Sequence, residues 1–106
     1  MRVRFLHVAK TELGDAVAYY NRERPGLGYE LLWEAFSAID RIKQFPQAWQ
    51  VFQEEARRCL LRRFPYGIVY VVEDDLVLIL AIAHLHRQPD YWIDRLSDEG
   101  RQTPAA

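Results

Sequence analysis

Ile68-Val69-Tyr70-Val71-Val72, Glu73-Asp74-Asp75 and Leu76-Val77-Leu78-Ile79-Leu80-Ala81-Ile82-Ala83 follow one another without a break, and this stretch decides the fold. Its two apolar runs are rich in β-branched and aromatic residues, and each is too short for a typical helix. The three acidic residues between them form a tight polar turn, so the pair reads as a β-hairpin. Upstream, Arg57 to Phe64 is a plausible third strand, stopped by Pro65, which completes an antiparallel meander. In both hairpin strands the odd and the even positions are apolar. Ile68, Tyr70 and Val72 oppose Val69 and Val71; Leu76, Leu78, Leu80 and Ile82 oppose Val77, Ile79, Ala81 and Ala83. Strands of this kind are covered on both faces.

One cover lies upstream. Ala9, Leu13, Ala16, Val17 and Tyr20 recur at helical spacing, as do Leu31, Leu32, Ala35, Phe36, Ile39, Ile42 and Phe45. Pro25-Gly26-Leu27-Gly28 separates the two sets with a short turn, so the helices form an antiparallel hairpin. Arg2 to Leu6 alternates basic and apolar residues and predicts a short N-terminal strand. Gln47 to Ala56 has no clean period and reads as a loop carrying Trp49 and Phe52. The expected fold is α+β, β-α-α-β-β-β, with the hairpin on one face of a mainly antiparallel sheet. Residues 1–96 form one domain, and residues 97–106 are a polar, flexible tail. The second apolar face is left for the C-terminal segment, the loop around Trp49 or another protein; the expectation is a partner polypeptide.

Composition narrows the function classes. The chain has 106 residues, of which 50% are hydrophobic and 27% charged, enough for one core and too apolar for a disordered chain. No apolar run reaches the roughly 20 residues needed to cross a bilayer, and the first apolar stretch is too short for a secretory signal. A single cysteine, Cys59, forms no internal disulfide and no cysteine-based zinc cage. A cytoplasmic protein without cofactor or metal is expected. Net charge is −1, which lacks the basic surplus of a dedicated nucleic-acid binder.

The candidate chemistry is concentrated near the C-terminus. Arg57, Arg58, Arg62 and Arg63 are the densest positive charge, suited either to phosphate or carboxylate, or to a solvated sheet edge. On a continuous strand Arg58 and Arg62 share one face, Arg57 and Arg63 the other. His84 and His86 share a face at the end of the last strand, where imidazole serves general acid–base chemistry or simple packing. Asp90-Tyr91-Trp92 reads as a helix N-cap with aromatics folded back on the sheet. Tyr19, Tyr20, Tyr29, Trp33 and Trp49 fit core or inter-helix packing.

Taken in order, these segments resemble the RelE/ParE superfamily of type II toxin–antitoxin toxins, the plasmid stabilisation proteins. The resemblance spans residues 1–93. It is carried by Ala18-Tyr19-Tyr20, Pro25-Gly26-Leu27-Gly28, Ile39-Asp40-Arg41-Ile42 with Phe45-Pro46, Leu61-Arg62-Arg63-Phe64-Pro65-Tyr66-Gly67-Ile68-Val69-Tyr70, and Leu78 to His84 leading to Arg87-Gln88-Pro89-Asp90-Tyr91-Trp92. It implies either of two activities. RelE-like members are ribosome-dependent mRNA endonucleases, and here Arg62, His84, His86, Arg87 and Tyr91 would be the catalytic set. ParE-like members inhibit DNA gyrase without catalysis, and here Arg58, Arg62, His84, His86, Arg87, Tyr91 and Trp92 would contact the target. Gly67 stands where the nucleases tend to carry arginine, and Leu60 interrupts their basic alternation, which favours the ParE-like branch. A non-toxic degenerate member is the third possibility. Both active branches imply a small antitoxin that wraps the toxin; Tyr29, Trp33, Val69, Val71, Ile79 and Ala81 are its expected contacts.

Overall fold

The computed structural model describes residues 1–97. Strand β1 (Arg2–Phe5) leads into helices α1 (His7–Glu23) and α2 (Leu27–Gln44), followed by β2 (Val51–Gln53), β3 (Ala56–Leu60), β4 (Tyr66–Glu73), β5 (Leu76–His84) and a 3-10 turn at Ile93–Leu96. The sheet has five strands in the order β1-β5-β4-β3-β2. Among the described residues only the β1–β5 pair is parallel; the helical hairpin carries the chain from β1 at one edge of the sheet to β2 at the other, and the meander returns to β1 through β5. The α+β architecture is the one the sequence predicts, with one addition. Val51–Gln53 pairs with β3 across an irregular register, whereas the sequence reads this segment as loop. Three residues are too few to show a period of two.

Turns fix the hairpins. Asp74 and Glu54 both take φ of 52°, the left-handed region that closes tight connections between strands. Gly26, at φ 91°, turns the chain between the helices. Immediately after it, the amide of Gly28 donates to Asn21 Oδ1 at 2.8 Å, fastening the two helices where they approach most closely.

Cross-strand partners share a face, so the register shows how the sheet is covered. Ile68 pairs with Ile82 and Val69 with Ala81, but Tyr70 pairs with Ile79, leaving Leu80 as the extra residue of a β-bulge. Ile79 therefore joins Tyr70 and Phe5 on the helical side, not Ala81 as strict alternation predicts. The helical side is identified by Tyr70, whose hydroxyl donates to the Pro46 carbonyl at 2.7 Å, and by Tyr66, packed near Tyr20 of α1. The far side carries Arg58, Leu60, Val69, Val71, Leu78, Ala81 and Ala83.

This far side is covered by the chain itself. Residues 88–97 fold back across it and bury Trp92, which is 1% exposed and contacts Phe52 of β2 at 5.5 Å between ring centroids. Val69, Val71, Ile79 and Ala81 are all buried, so in this chain they are not open surface and the expectation that a partner must cover them is corrected. The C-terminal segment was among the possible covers, and Trp92 is the largest side chain that it buries. Truncating a buried tryptophan costs about 3–5 kcal/mol, which sets the scale of this contact. The expected flexible tail falls mainly on residues 98–106, outside the described residues.

Candidate functional site

Arg58, Arg87, Tyr91 and Trp92 line one cleft on the far side of the sheet, with Val69 and Pro89 between them; His84 borders it at the end of β5, its ring lying on the helical side against Tyr66. Arg58 is held there by two contacts. Its aliphatic stem lies across Gly67, where an added Cβ would come within 3.0 Å of Arg58 Cγ and Cδ. Its guanidinium lies over the Phe52 ring, 4.6 Å from the centroid. Gly67 thus provides the space that lets Arg58 lie flat on the sheet.

His84 and His86 stand at the end of β5 with their rings 4.9 Å apart. The His86 amide donates to His84 Nδ1 at 3.0 Å, and Tyr66 packs edge-on against His84. Burial first, and then the neighbouring His86, hold the His84 pKa below its ordinary value. Neutral His84 keeps Nδ1 as an acceptor, which the bond from His86 requires. Among the described residues no third potential ligand joins the pair to form a metal-binding group.

Tyr91 and Arg87 are held by a residue that sequence reasoning missed. Glu12 of α1 accepts from the Tyr91 hydroxyl at 2.8 Å and from Arg95 at 2.9 and 3.0 Å. Arg87 approaches the same carboxylate at 3.7 Å and stacks over the Tyr91 ring at 3.7 Å. Burial and the bond to Glu12 push the Tyr91 pKa far up, so this hydroxyl holds its proton. The signal for Glu12 was its place on the stripe Ala9, Leu13, Ala16, where a carboxylate invites a buried partner. Trp92, expected among the target contacts, is buried and offers no such surface.

The four arginines do not form one cluster. Arg57 turns to the helical side and donates to the Trp49 carbonyl at 2.6 Å. β3 ends at Leu60, so Arg62 and Arg63 follow it in a connection and strand alternation does not apply to them. That connection is tied to α2. The amide of Arg62 donates to Glu34, and the guanidinium of Arg63 pairs with Glu30 at 3.0 Å and Glu34 at 3.4 Å. Arg62 is therefore not among the residues lining the cleft with Arg58 and Arg87.

The largest exposed aromatic surface lies elsewhere. Tyr29, Trp33 and Phe36 are 64%, 75% and 48% exposed along one stripe of α2. Sequence periodicity placed Phe36 and Phe45 on the inward arc, and Tyr29 and Trp33 in packing. The inward arc is instead filled by Leu31, Ala35, Ala38, Ile39 and Ile42, leaving these aromatics in solvent. Tyr20 does pack inward, edge-on against Phe64 at 5.1 Å. Aromatic side chains on this scale are characteristic of interaction surfaces.

Comparison with known proteins gives a concordant result. The model of the family described as ParE toxin of type II toxin-antitoxin system, parDE, matches residues 3–89. A solved structure described as the chromosomal ParDE TA system from P. aeruginosa has a similar fold. Its TM-score is 0.73 at 17% identity, over 81% of this chain and 97% of that one. None of the curated proteins matches.

Proposed function

The chain belongs to the ParE toxin family of type II toxin–antitoxin systems, and from that premise we propose that it binds and inhibits DNA gyrase and is neutralised by a cognate antitoxin. The observation that carries the choice of branch is the state of Tyr91. RNA cleavage of the RelE-like kind would need this tyrosine and Arg87 to face a phosphate and exchange protons. Here the hydroxyl donates to Glu12 and the guanidinium stacks on the ring. A phenol with a strongly raised pKa is a poor base near neutrality. The phenol is committed to the architecture of the C-terminal segment, while Arg87, half exposed, keeps a free face of its guanidinium.

Target contact is assigned to the groups that remain accessible at the pole of the sheet: Arg58, His84, His86 and Arg87. Antitoxin contact is assigned to the stripe Tyr29, Trp33 and Phe36. An apolar antitoxin face would bury these rings, and a few well-buried aromatics carry most of the energy of such an interface. Induction of the chain alone in cells tests the reading. DNA replication is expected to stop while protein synthesis continues, with coexpressed antitoxin restoring growth. Immediate translation arrest with cleavage of ribosome-bound mRNA would contradict it and favour the endonuclease.

A further inference from the structure

Two arginines of the cleft are left without an acceptor. Glu12 takes bonds from the Ile82 amide at 3.0 Å, from the Tyr91 hydroxyl at 2.8 Å and from Arg95 at 2.9 and 3.0 Å. These bonds fill the lone-pair positions of a carboxylate. Arg87, 3.7 Å from the same group, feels its charge but is too far away to donate to it. Its guanidinium is fixed instead by the Tyr91 ring, 3.7 Å away. Arg58 is in the same condition. Its guanidinium rests on Phe52, and among the described residues no oxygen accepts from it. A guanidinium stacked by its face keeps the N–H groups of its edge for a planar acceptor. The cleft that the two arginines share has a volume of about 40 Å³, room for one small group, and none of the described residues lining it is acidic.

The flanks narrow the choice of anion. Towards the end of β3, Arg58 also borders a hollow with Trp49, Phe52 and the exposed Leu60, which suits an apolar side chain. Towards the turn between β2 and β3, Glu54 and Glu55 line a hollow with Ile93, the residue after Trp92. A run of phosphates would meet those carboxylates, whereas one carboxylate beside an apolar residue avoids them. Resting on the target contact assigned to this pole of the sheet, we propose that Arg58 and Arg87 together seat one carboxylate, that of an aspartate or glutamate which the target protein displays next to a large apolar residue. The carboxylate lies between the two guanidinium edges, and its apolar neighbour enters the hollow at Trp49 and Leu60. Lysine offers the charge without the planar edge, so arginine is required at both positions.

Titration of the isotopically labelled full chain with the capped tetrapeptide Ala-Glu-Leu-Ala, followed by NMR at the arginine side chains, tests the seat. The Arg58 and Arg87 Nε–H resonances are expected to shift together, and the glutamine version of the peptide to bind about tenfold more weakly. Arg58→Lys and Arg87→Lys are each expected to lower affinity for the glutamate peptide by about fivefold and to leave that for the glutamine peptide unchanged. Equal binding of the two peptides, or shifts confined to other arginines, would overturn the seat. So would a uridine oligonucleotide that shifts both resonances and binds more tightly than the glutamate peptide, which would make the anion a nucleic-acid phosphate. A supercoiling assay separates the seat from the choice of target. Selectivity for the glutamate peptide in a chain that leaves gyrase active would support the seat and overturn the target. Gyrase inhibition that both lysine substitutions leave unaltered, with no selectivity between the peptides, would overturn the seat alone.

Discussion

At Gly28 an added Cβ would overlap the Val17 carbonyl oxygen and come within 2.7 Å of Asn21 Cγ, so the close approach of α1 and α2 depends on the missing side chain. Gly28→Ala is expected to destabilise the chain by about 3 kcal/mol, at the upper end of ordinary overpacking, as read by urea unfolding. Loss of the hydrogen bond alone, in Asn21→Ala, is expected to cost about 1 kcal/mol. Tyr70 gives a pH dependence. Its burial pushes the phenol up to about 12, above the ordinary value of 10 that it has in the unfolded chain. The folded state holds this proton more tightly, so the contribution is fully present below pH 10 and is lost as pH rises towards 12. Unfolding midpoints in urea are therefore expected to fall across that window, and Tyr70→Phe should flatten the fall. Tyr91 shifts in the same direction and adds to it.

At the scale of elements, α2 faces two ways. Leu31, Ala35, Ala38, Ile39 and Ile42 pack inward, while Tyr29, Trp33 and Phe36 stay in solvent without a partner in this chain's core. Trp33→Ala is expected to leave stability within about 0.5 kcal/mol, as for other surface changes. The same substitution should weaken antitoxin binding by about 2 kcal/mol, a difference that calorimetry and urea unfolding separate cleanly. The element order was legible in the sequence because the hairpin strands and both helices carry strong, unmixed patterns. The C-terminal cover was not. Its anchor is one tryptophan and its hydrogen-bond acceptor lies far back in the chain at Glu12, and no local pattern links residues separated by seventy-nine positions, as Glu12 and Tyr91 are. Alternation likewise failed at Leu80, where one bulged residue moved Ile79 to the opposite face. The site residues were legible as a list but not as a geometry. Arg58 and Arg87 do converge and His84 borders their cleft from the other face, whereas Arg62 follows the end of β3 and is tied to α2.

For the whole molecule, a sheet buried on both sides with two different covers accounts for the sequence better than an open face would. The helical hairpin is one cover, and the C-terminal segment that seats Trp92 is the other. Nothing in the charge balance draws the chain to a polyanion, since its net charge is −1, and no described helix is long and apolar enough to cross a membrane. The proposed protein target fits that balance, and the proposal rests its recognition on a few guanidinium and imidazole groups at one pole and that of the antitoxin on the aromatic rings of α2. Supercoiling of relaxed plasmid by purified gyrase, with the purified chain added, tests this most directly. Concentration-dependent loss of supercoiling, reversed by the antitoxin and weakened by Arg58→Ala with Arg87→Ala, is the expected result; undiminished supercoiling at a large molar excess of the folded chain would contradict it.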